Sequence, residues 1–194
     1  VAAESLQAPG ATATRAAEIA PLAVKSLLLD LARVGDRLIA VGERGSVLLS
    51  KDGVIWDQSP VPVQATLTTV SFADGKNGWA GGHDQSILHS TDGGLTWKLQ
   101  HRNTADSKPV LSVLALDAQR ALAAGAYGLL LSTTDGGATW SPVAAPEILD
   151  DGLHLNGLIR LGNGDLLVVG ETGLIGVSSD GATWLDRQLV TKRR

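Results

Sequence analysis

The chain has 194 residues, with 16 Lys and Arg against 20 Asp and Glu and a formal net charge of −4. Scattered basic residues exclude a nucleic-acid groove, and the absence of cysteine excludes disulfides and thiolate chemistry. No stretch approaches the ~18 uninterrupted apolar residues that cross a bilayer, so we expect no membrane span. Residues 1–24, rich in Ala without a strong period, read as a linker at the start of a processed, exported protein or of a shortened chain.

From residue 25 onward the sequence contains four similar units, each ending on a tryptophan. The intervals between Trp56, Trp97, Trp140 and Trp184 are 41, 43 and 44 residues. Inside every unit a Gly precedes a Ser or Thr by eight positions, and an Asp follows that Ser or Thr by two. Fixed internal spacing with variable external spacing indicates repeated folding units that are joined by loops.

Each unit contains four short apolar runs separated by Gly, Asp and Asn. In the first unit the runs are KSLLLDLARV, DRLIAVGE, SVLLS and WDQSPV. Runs of this length are typical of strands and too short for helices. Four strands per unit, repeated, predict an all-β fold, a β-propeller of four-stranded antiparallel blades. The expected blades cover residues 25–68, 69–109, 110–153 and 154–190, and residues 191–194 form a basic tail.

The turn before each tryptophan has a structural interpretation. The Asp side chain accepts backbone N–H groups of its own turn, the Gly supplies a positive φ, and the Trp packs on the adjacent sheet. The first and fourth turns are one residue shorter and should be tighter. The residues assigned to this role are Ser50, Asp52, Trp56, Ser90, Asp92, Trp97, Thr133, Asp135, Trp140, Ser178, Asp180 and Trp184.

These turns resemble the Asp-box (BNR) repeat. The longer pattern GWAGGHDQSILHSTDGGLTW resembles the photosystem II stability/assembly-factor-like propellers, and the resemblance covers roughly residues 22–190. It implies an exported location, such as the periplasm, and a non-catalytic role in assembling a membrane-associated complex, with protein partners and no cofactor. Family members usually have seven blades. Four blades here are expected, in order of preference, to be part of a longer ring, half of a homodimeric ring, or a small closed ring.

In a propeller, the turns between second and third strands share one face with the connections between blades. Variable polar loop tips on a fixed scaffold are where binding usually resides, although turns are also polar simply because they are wet. By its position in GERG, Arg44 resembles the exposed arginines of the assembly factors. The candidate binding residues are Glu43, Arg44, His83, Asp84, Tyr127 and Glu171, extended by His101 and Arg102 in the connection 100–110.

The alternative is a sialidase-like Asp-box protein that binds or hydrolyses glycans. Sialidase chemistry uses a Tyr nucleophile, an acidic partner and an Arg cluster. The chain has a single tyrosine, Tyr127, and its arginines do not fall in repeat register. The four histidines lack metal-ligand spacing. We therefore expect no catalytic residue and no metal site.

Overall fold

The computed structural model describes residues 14–20, 22–106, 108–149 and 151–187. The expected basic tail, residues 191–194, lies outside this part of the chain. Within the described ranges, sixteen strands form four antiparallel four-stranded sheets, and one short helix precedes the last sheet. The predicted all-β fold with four blades is confirmed.

Strands follow chain order within every sheet, from an inner strand to a short outer strand. Sheet 1 contains β1 (Leu28–Val34), β2 (Arg37–Gly42), β3 (Val47–Ser50) and β4 (Asp57–Gln58). Sheet 2 contains β5 (Leu67–Phe72), β6 (Gly78–Gly82), β7 (Ile87–Ser90) and β8 (Lys98–His101). Sheet 3 contains β9 (Val110–Ala115), β10 (Ala121–Gly125), β11 (Leu130–Thr133) and β12 (Ser141–Pro142). Helix α1 (Pro146–Leu149) leads to sheet 4, with β13 (Leu155–Arg160), β14 (Leu166–Gly170), β15 (Ile175–Ser178) and β16 (Leu185–Asp186).

The sheets stack face to face through three apolar layers. Ile39 and Leu88 lie in the layer between sheets 1 and 2, Trp79 and Val113 in the next, and Leu122, Val168 and Trp184 in the last. No buried cluster in the described ranges joins sheet 4 back to sheet 1. The four sheets therefore form an open arc rather than a closed ring.

A repeated hydrogen bond links the inner strands of successive sheets. A side-chain oxygen on one inner strand accepts the backbone N–H of a residue on the next, which fixes the offset between the two sheets. The bonds run from Val70 N to Asp30 Oδ2 (2.8 Å), from Val113 N to Thr69 Oγ1 (3.2 Å) and from Leu158 N to Ser112 Oγ (3.0 Å).

The Asp-box turns are closed by their own side chains. In the second unit, the Ser90 hydroxyl donates to Asp92 Oδ1 (2.9 Å) and accepts the N–H of Gly94 (2.8 Å). The Asp92 carboxylate accepts the N–H of Thr96 (2.9 Å) and its hydroxyl (2.6 Å). The indole N–H of Trp97 then donates to the carbonyl of Gly94 (3.0 Å). The turn is therefore held closed by hydrogen bonds among its own side chains and main-chain groups.

The shorter turns of the first and fourth units keep this anchor and omit one residue before the glycine. Gly53 N–H bonds to Ser50 three residues earlier (2.9 Å), and the Trp56 indole still donates to the Gly53 carbonyl (3.2 Å). Ile55 stands where the other units have a threonine, so it cannot supply the hydroxyl that Thr96 donates. The first turn is therefore the least completely bonded of the four.

The four turn tryptophans differ in burial. Trp97 and Trp184 are 5% and 0% exposed, whereas Trp56 and Trp140 are only partly buried. The Trp184 indole donates to the Gly181 carbonyl (3.2 Å), while Trp140 Nε1 is buried without a hydrogen-bond partner in the described part of the chain. The two indole N–H groups should therefore contribute differently to stability.

We expect Trp184→Phe to lower the free energy of unfolding by about 1–3 kcal/mol, because it removes an indole–carbonyl bond and leaves the Gly181 carbonyl without its donor. Trp140→Phe should cost less than about 1 kcal/mol, because it removes a donor that has no partner. Urea denaturation of both variants measures the difference. A loss in Trp140→Phe equal to that in Trp184→Phe would contradict the assignment.

The Asp-box carboxylates should make stability depend on acid. The Thr139 hydroxyl and N–H, with the Thr133 hydroxyl, lower the pKa of Asp135 from 3.8 to about 2. The N–H groups of Thr183 and Ala182 lower the pKa of Asp180 from 3.8 to about 2. Because the pKa values of these two carboxyls are lower in the folded state, their ionised forms stabilise the fold above pH 3.8. This contribution is lost as the pH falls toward about 2.

The thermal unfolding midpoint should therefore fall through this acid range. In the double variant Asp135→Asn, Asp180→Asn the fall should be shallower, because an amide oxygen still accepts the N–H groups but does not titrate. Thermal melts in steps across that range provide the measurement. An unchanged slope in the double variant would show that these carboxylates are not responsible.

Candidate functional site

Four tight turns join the second and third strands of the sheets. We call them together the turn surface; they comprise residues 43–46, 83–86, 126–129 and 171–174. The N–H of the fourth residue bonds to the carbonyl of the first in each turn, at 2.9 to 3.1 Å. Both central residues have positive φ, which defines a type I′ turn. This turn type matches the twist of the flanking strands, so the tips are rigidly placed.

The first central position holds a different side chain in every sheet. Arg44, Asp84, Tyr127 and Thr172 have φ values of 54° to 56°. Glycine follows in three of the turns, but in the second turn Gln85 follows, with a φ of 50°. A left-handed residue other than glycine costs about 1–2 kcal/mol. The same type I′ turn therefore presents a different side chain at the equivalent position of each sheet.

Gln85 is held in this unfavourable conformation by its buried side chain. Its amide nitrogen donates to the Asp106 carbonyl (3.0 Å), and its amide oxygen lies 3.3 Å from His101 Nε2. Burial lowers the pKa of His101. His101, the last residue of β8, therefore faces the second turn, and Gln85 holds the connection between sheets 2 and 3 against that turn.

Two of the candidate carboxylates bond to the chain that enters their own sheet. Glu43 Oε1 accepts the N–H of Leu27 (3.1 Å), and Glu171 Oε2 accepts the N–H of His154 (2.9 Å). Each glutamate thereby caps the residue that leads into an inner strand. Glu43 and Glu171 lie on the turn surface, but part of each carboxylate is engaged within the fold.

Asp84 and Arg102 are brought together by the fold. Arg102 donates to Asp84 Oδ2 at 2.8 Å, and the N–H of Asn103 bonds to the Asp84 carbonyl (2.9 Å). Both charged side chains are partly buried. This ion pair fastens the connection after sheet 2 to the second turn.

His83 and Tyr127 remain available at the surface. The Tyr127 ring is 61% exposed and meets His154 edge to face, with ring centroids 4.6 Å apart. His83 is exposed at the start of the second turn. An aromatic side chain held edge-on by its neighbour loses little entropy when it contacts a partner.

Arg44 stands in a polar groove of about 360 Å³ at one end of the turn surface. Within the described ranges its guanidinium has no ion-pair or hydrogen-bond partner. We call this the Arg44 groove; besides Arg44, its lining residues are Glu18, Ala20, Ala23, Ser26, Ser46, Gln58 and Gln64.

The amides of the Arg44 groove already bind peptide backbone. Gln58 accepts the N–H of Ala20 (2.9 Å) and donates to the Glu18 carbonyl (2.9 Å). Gln64 donates to the Ala16 carbonyl (3.1 Å). The groove thus combines an uncommitted guanidinium with amides whose observed partners are main-chain groups.

Sequence reasoning missed three of the residues that shape this surface. Thr172 occupies the same turn position as Arg44, and the repeat register could have identified it. Gln58 lies in β4, two residues after Trp56, at a position that the other units fill with different residues. Gln64 lies in the connection to sheet 2, whose length varies between units, so the repeat signals neither glutamine. The described ranges hold no group of three His, Asp or Glu side chains that could bind a metal ion. They likewise contain no helix long and apolar enough to cross a membrane.

A double-mutant cycle on Asp84→Asn and Arg102→Ala should give a coupling energy of about 1 kcal/mol in unfolding, because the pair is partly shielded from water. The exposed pair of Arg15 and Glu18, at a similar 2.9 Å, provides the matched control, with an expected coupling of about 0.3 kcal/mol or less. Urea denaturation measures both. Equal coupling in the two pairs would show that the Asp84–Arg102 contact does not hold the connection.

Comparison with known proteins gives a family and a fold. The sequence model described as "Photosynthesis system II assembly factor YCF48" matches residues 48–192, more than half of the chain. A comparison with curated proteins finds no match.

Several solved structures are similar. The structure titled "YCF48 bound to D1 peptide" has a TM-score of 0.67 at 21% identity, covering 97% of this chain and 62% of that one. YCF48 from Cyanidioschyzon merolae has a TM-score of 0.65 at 23% identity, covering 87% and 58%. The GH74 enzyme of Niastella koreensis has a TM-score of 0.63 at 18% identity, covering 82% and 30%. The chain thus spans less than two thirds of these proteins, and at such identities the likeness shows the fold alone.

Proposed function

The chain belongs to the photosystem II assembly factor YCF48 family, and on that premise we propose that it is a non-catalytic scaffold for binding protein segments. Its role is to assist the assembly or stability of a membrane-associated complex, from an exported, periplasmic location. One of the similar structures is that of YCF48 bound to a D1 peptide. We propose the same class of ligand here, a peptide segment of a membrane protein.

The observation that carries this proposal is the Arg44 groove. A guanidinium binds a carboxylate through two parallel hydrogen bonds, whether the carboxylate is a side chain or a chain end. Gln58 and Gln64 beside it are bonded to main-chain groups of residues 16–20, which form one side of the groove. The groove therefore fits an acidic or C-terminal peptide segment, with Arg44 on the carboxylate.

The scaffold reduces the cost of binding. The type I′ turns hold Arg44 and Tyr127 at fixed φ values, and the ion pair of Asp84 and Arg102 fixes the neighbouring connection. Rigid presentation means that little conformational entropy is lost when a partner docks. His83 and Tyr127 supply further contacts, and a few such anchors usually dominate binding energy.

Arg44→Glu should weaken binding of the D1 peptide by at least about 10-fold, because it replaces the carboxylate-binding group with a like charge. The thermal midpoint should not move, since Arg44 is exposed. Isothermal titration measures the affinity, and a membrane pull-down with the same variants extends the test to natural partners. Arg160→Glu makes the same charge change on an exposed arginine at the opposite end of its sheet, and it should bind like the unmodified chain.

Equal affinities of Arg44→Glu and Arg160→Glu would overturn the assignment of the groove.

The glycan-binding or glycoside hydrolase alternative rests on the fold shared with GH74 enzymes. Glu43, Asp84 and Glu171 each accept a bond within this fold, which favours binding over proton transfer. Turnover of xyloglucan or retention on a glycan array, without peptide binding, would favour the alternative instead.

A further inference from the structure

Three side chains of sheet 2 form a connected group that reaches the third Asp-box turn. The Trp79 indole donates to Gln100 Oε1 (2.9 Å), and the Gln100 amide nitrogen donates to the Gly136 carbonyl (2.6 Å). The same amide nitrogen lies 3.1 Å from His89 Nδ1. The His89 ring stacks on Trp79, with ring centroids 4.3 Å apart. We call the side chains of Trp79, His89 and Gln100, together with the Gly136 carbonyl, the His89 network.

The hydrogen bonds of this network require a neutral His89. The Gln100 amide cannot reverse, because its oxygen would then face the Gly136 carbonyl and its nitrogen would face the Trp79 N–H. His89 Nδ1 must therefore accept the second N–H of the Gln100 amide, and the ring carries its proton on Nε2. His89 Nε2 is buried and has no hydrogen-bond partner in the described part of the chain. A protonated ring would direct an N–H at the Gln100 amide nitrogen, which is itself a donor.

The third Asp-box turn leaves little room for Gln100 to move away from His89. Gly137 has a φ of 83°, and a Cβ at this position would overlap the Gln100 amide. Glycine thus allows the amide to approach the turn closely enough to reach the Gly136 carbonyl. A change of charge on His89 is therefore opposed by groups that are fixed on both sides of the layer.

The other two layers between sheets have no titratable side chain at the equivalent positions. Between sheets 1 and 2 the corresponding carbonyl is that of Gly93, which accepts from Arg37 (2.9 Å), and a guanidinium keeps its charge. The positions of Trp79, His89 and Gln100 are filled in sheets 1 and 3 by other residues, which are Ile39, Leu49 and Ser59, and Leu122, Ser132 and Val143. Only the layer between sheets 2 and 3 therefore depends on a histidine at these positions.

The charged groups around the His89 network do not favour a protonated ring. Burial lowers the pKa of His89 below its ordinary value of 6.5, and the ammonium of Lys98, its cross-strand neighbour on β8, lowers it further. The carboxylates at the Asp-box end of sheets 2 and 3 accept bonds from their own turns; they are Asp74, Asp92, Asp117 and Asp135. The other charged side chains of these turns, Lys76 and Arg120, are cations. Among the described residues, no carboxylate forms an ion pair with His89.

We propose that the layer between sheets 2 and 3 is a pH-sensitive joint, closed while His89 is neutral and released when His89 is protonated in mild acid. Because burial lowers the pKa of His89 in the closed joint, the network stabilises the joint fully above pH 6.5. This stabilisation is lost as the pH falls below 6.5, since the open joint then binds the proton more tightly. Arg44 lies on sheet 1 and Tyr127 on sheet 3, so the joint governs how rigidly these residues are held relative to each other. The joint itself does not depend on the proposed peptide binding.

Hydrogen exchange of two indole N–H groups, followed by NMR, tests the proposal. Trp79 reports on the joint, and Trp184, which is fully buried between sheets 3 and 4 and bonded to Gly181, is the reference in the same sample. The ratio of the two exchange rates cancels the intrinsic effect of pH on exchange. Between about pH 7.5 and about pH 5.5 the ratio of Trp79 to Trp184 should rise by at least about 3-fold, because protonation of His89 favours the open joint. Both pH values lie above the range in which the Asp-box carboxylates titrate.

Two variants remove the titrating group in different ways. His89→Asn keeps an acceptor for Gln100 but does not titrate, and His89→Phe keeps a ring that can stack on Trp79 but has no nitrogen. Both should show the same exchange ratio at the two pH values. Each comparison is made within one variant, so a uniform loss of stability does not affect it, and either variant serves if the other fails to fold. The control is His101→Asn, which replaces a partly buried histidine at the other end of sheet 2 and should keep the response of the unmodified chain.

An exchange ratio that does not change with pH in the unmodified chain would overturn the proposal. Equal acceleration of Trp79 and Trp184 gives this result, and it would show that the whole arc loosens in acid rather than this joint. A pH response that persists in His89→Asn or His89→Phe, or that disappears in His101→Asn, would equally overturn the assignment to His89.

Discussion

A four-stranded sheet of this kind has two apolar faces and cannot shield both from water by itself. The consequence is visible in neighbouring residues of equivalent strands. In β6 of sheet 2, Trp79 and Ala80 point to opposite faces and are both fully buried. In β14 of sheet 4, Val168 is buried while Val169 is exposed. Burying a large apolar side chain is worth roughly 1.5–3 kcal/mol, so stacking of sheets is the dominant source of stability.

The two ends of each sheet serve different purposes. At one end, the Asp-box turn repeats a Ser or Thr, an Asp, a Gly and a Trp, and its hydrogen bonds return to the turn itself. At the other end, the type I′ turn repeats only its backbone, and the side chains at its tips vary from Arg44 to Thr172. The repeated Asp-box residues stabilise each sheet, while the variable side chains at the tips of the type I′ turns can be adapted to a partner. The turn that carries Arg44 therefore lies at the end of sheet 1 opposite its Asp-box turn.

Polar groups at the turn surface divide into those that hold the fold together and those that remain available. Glu43, Asp84, Arg102 and Glu171 have partners inside the chain, whereas Arg44 has none within the described ranges. A residue that binds a ligand through hydrogen bonds needs donors or acceptors that have no partner in the free protein. Residue type alone cannot reveal this, because Arg44 and Arg102 carry the same charge and differ only in what surrounds them.

Local pattern determined the strands, the turns and the all-β class, because a period of two and a turn with an Asp and a Gly act over a few residues. The position of Arg44 at a turn tip was likewise readable from the repeat register. Tertiary structure alone decided the rest. Trp79 lies outside every Asp-box turn, yet it is buried between two sheets and donates to Gln100 Oε1 (2.9 Å). The pairing of Asp84 with Arg102, the amides around Arg44 and the open ends of the arc all depend on residues far apart in sequence. Their contacts arise only when sheets stack, and no spacing along the chain encodes a distance between two sheets.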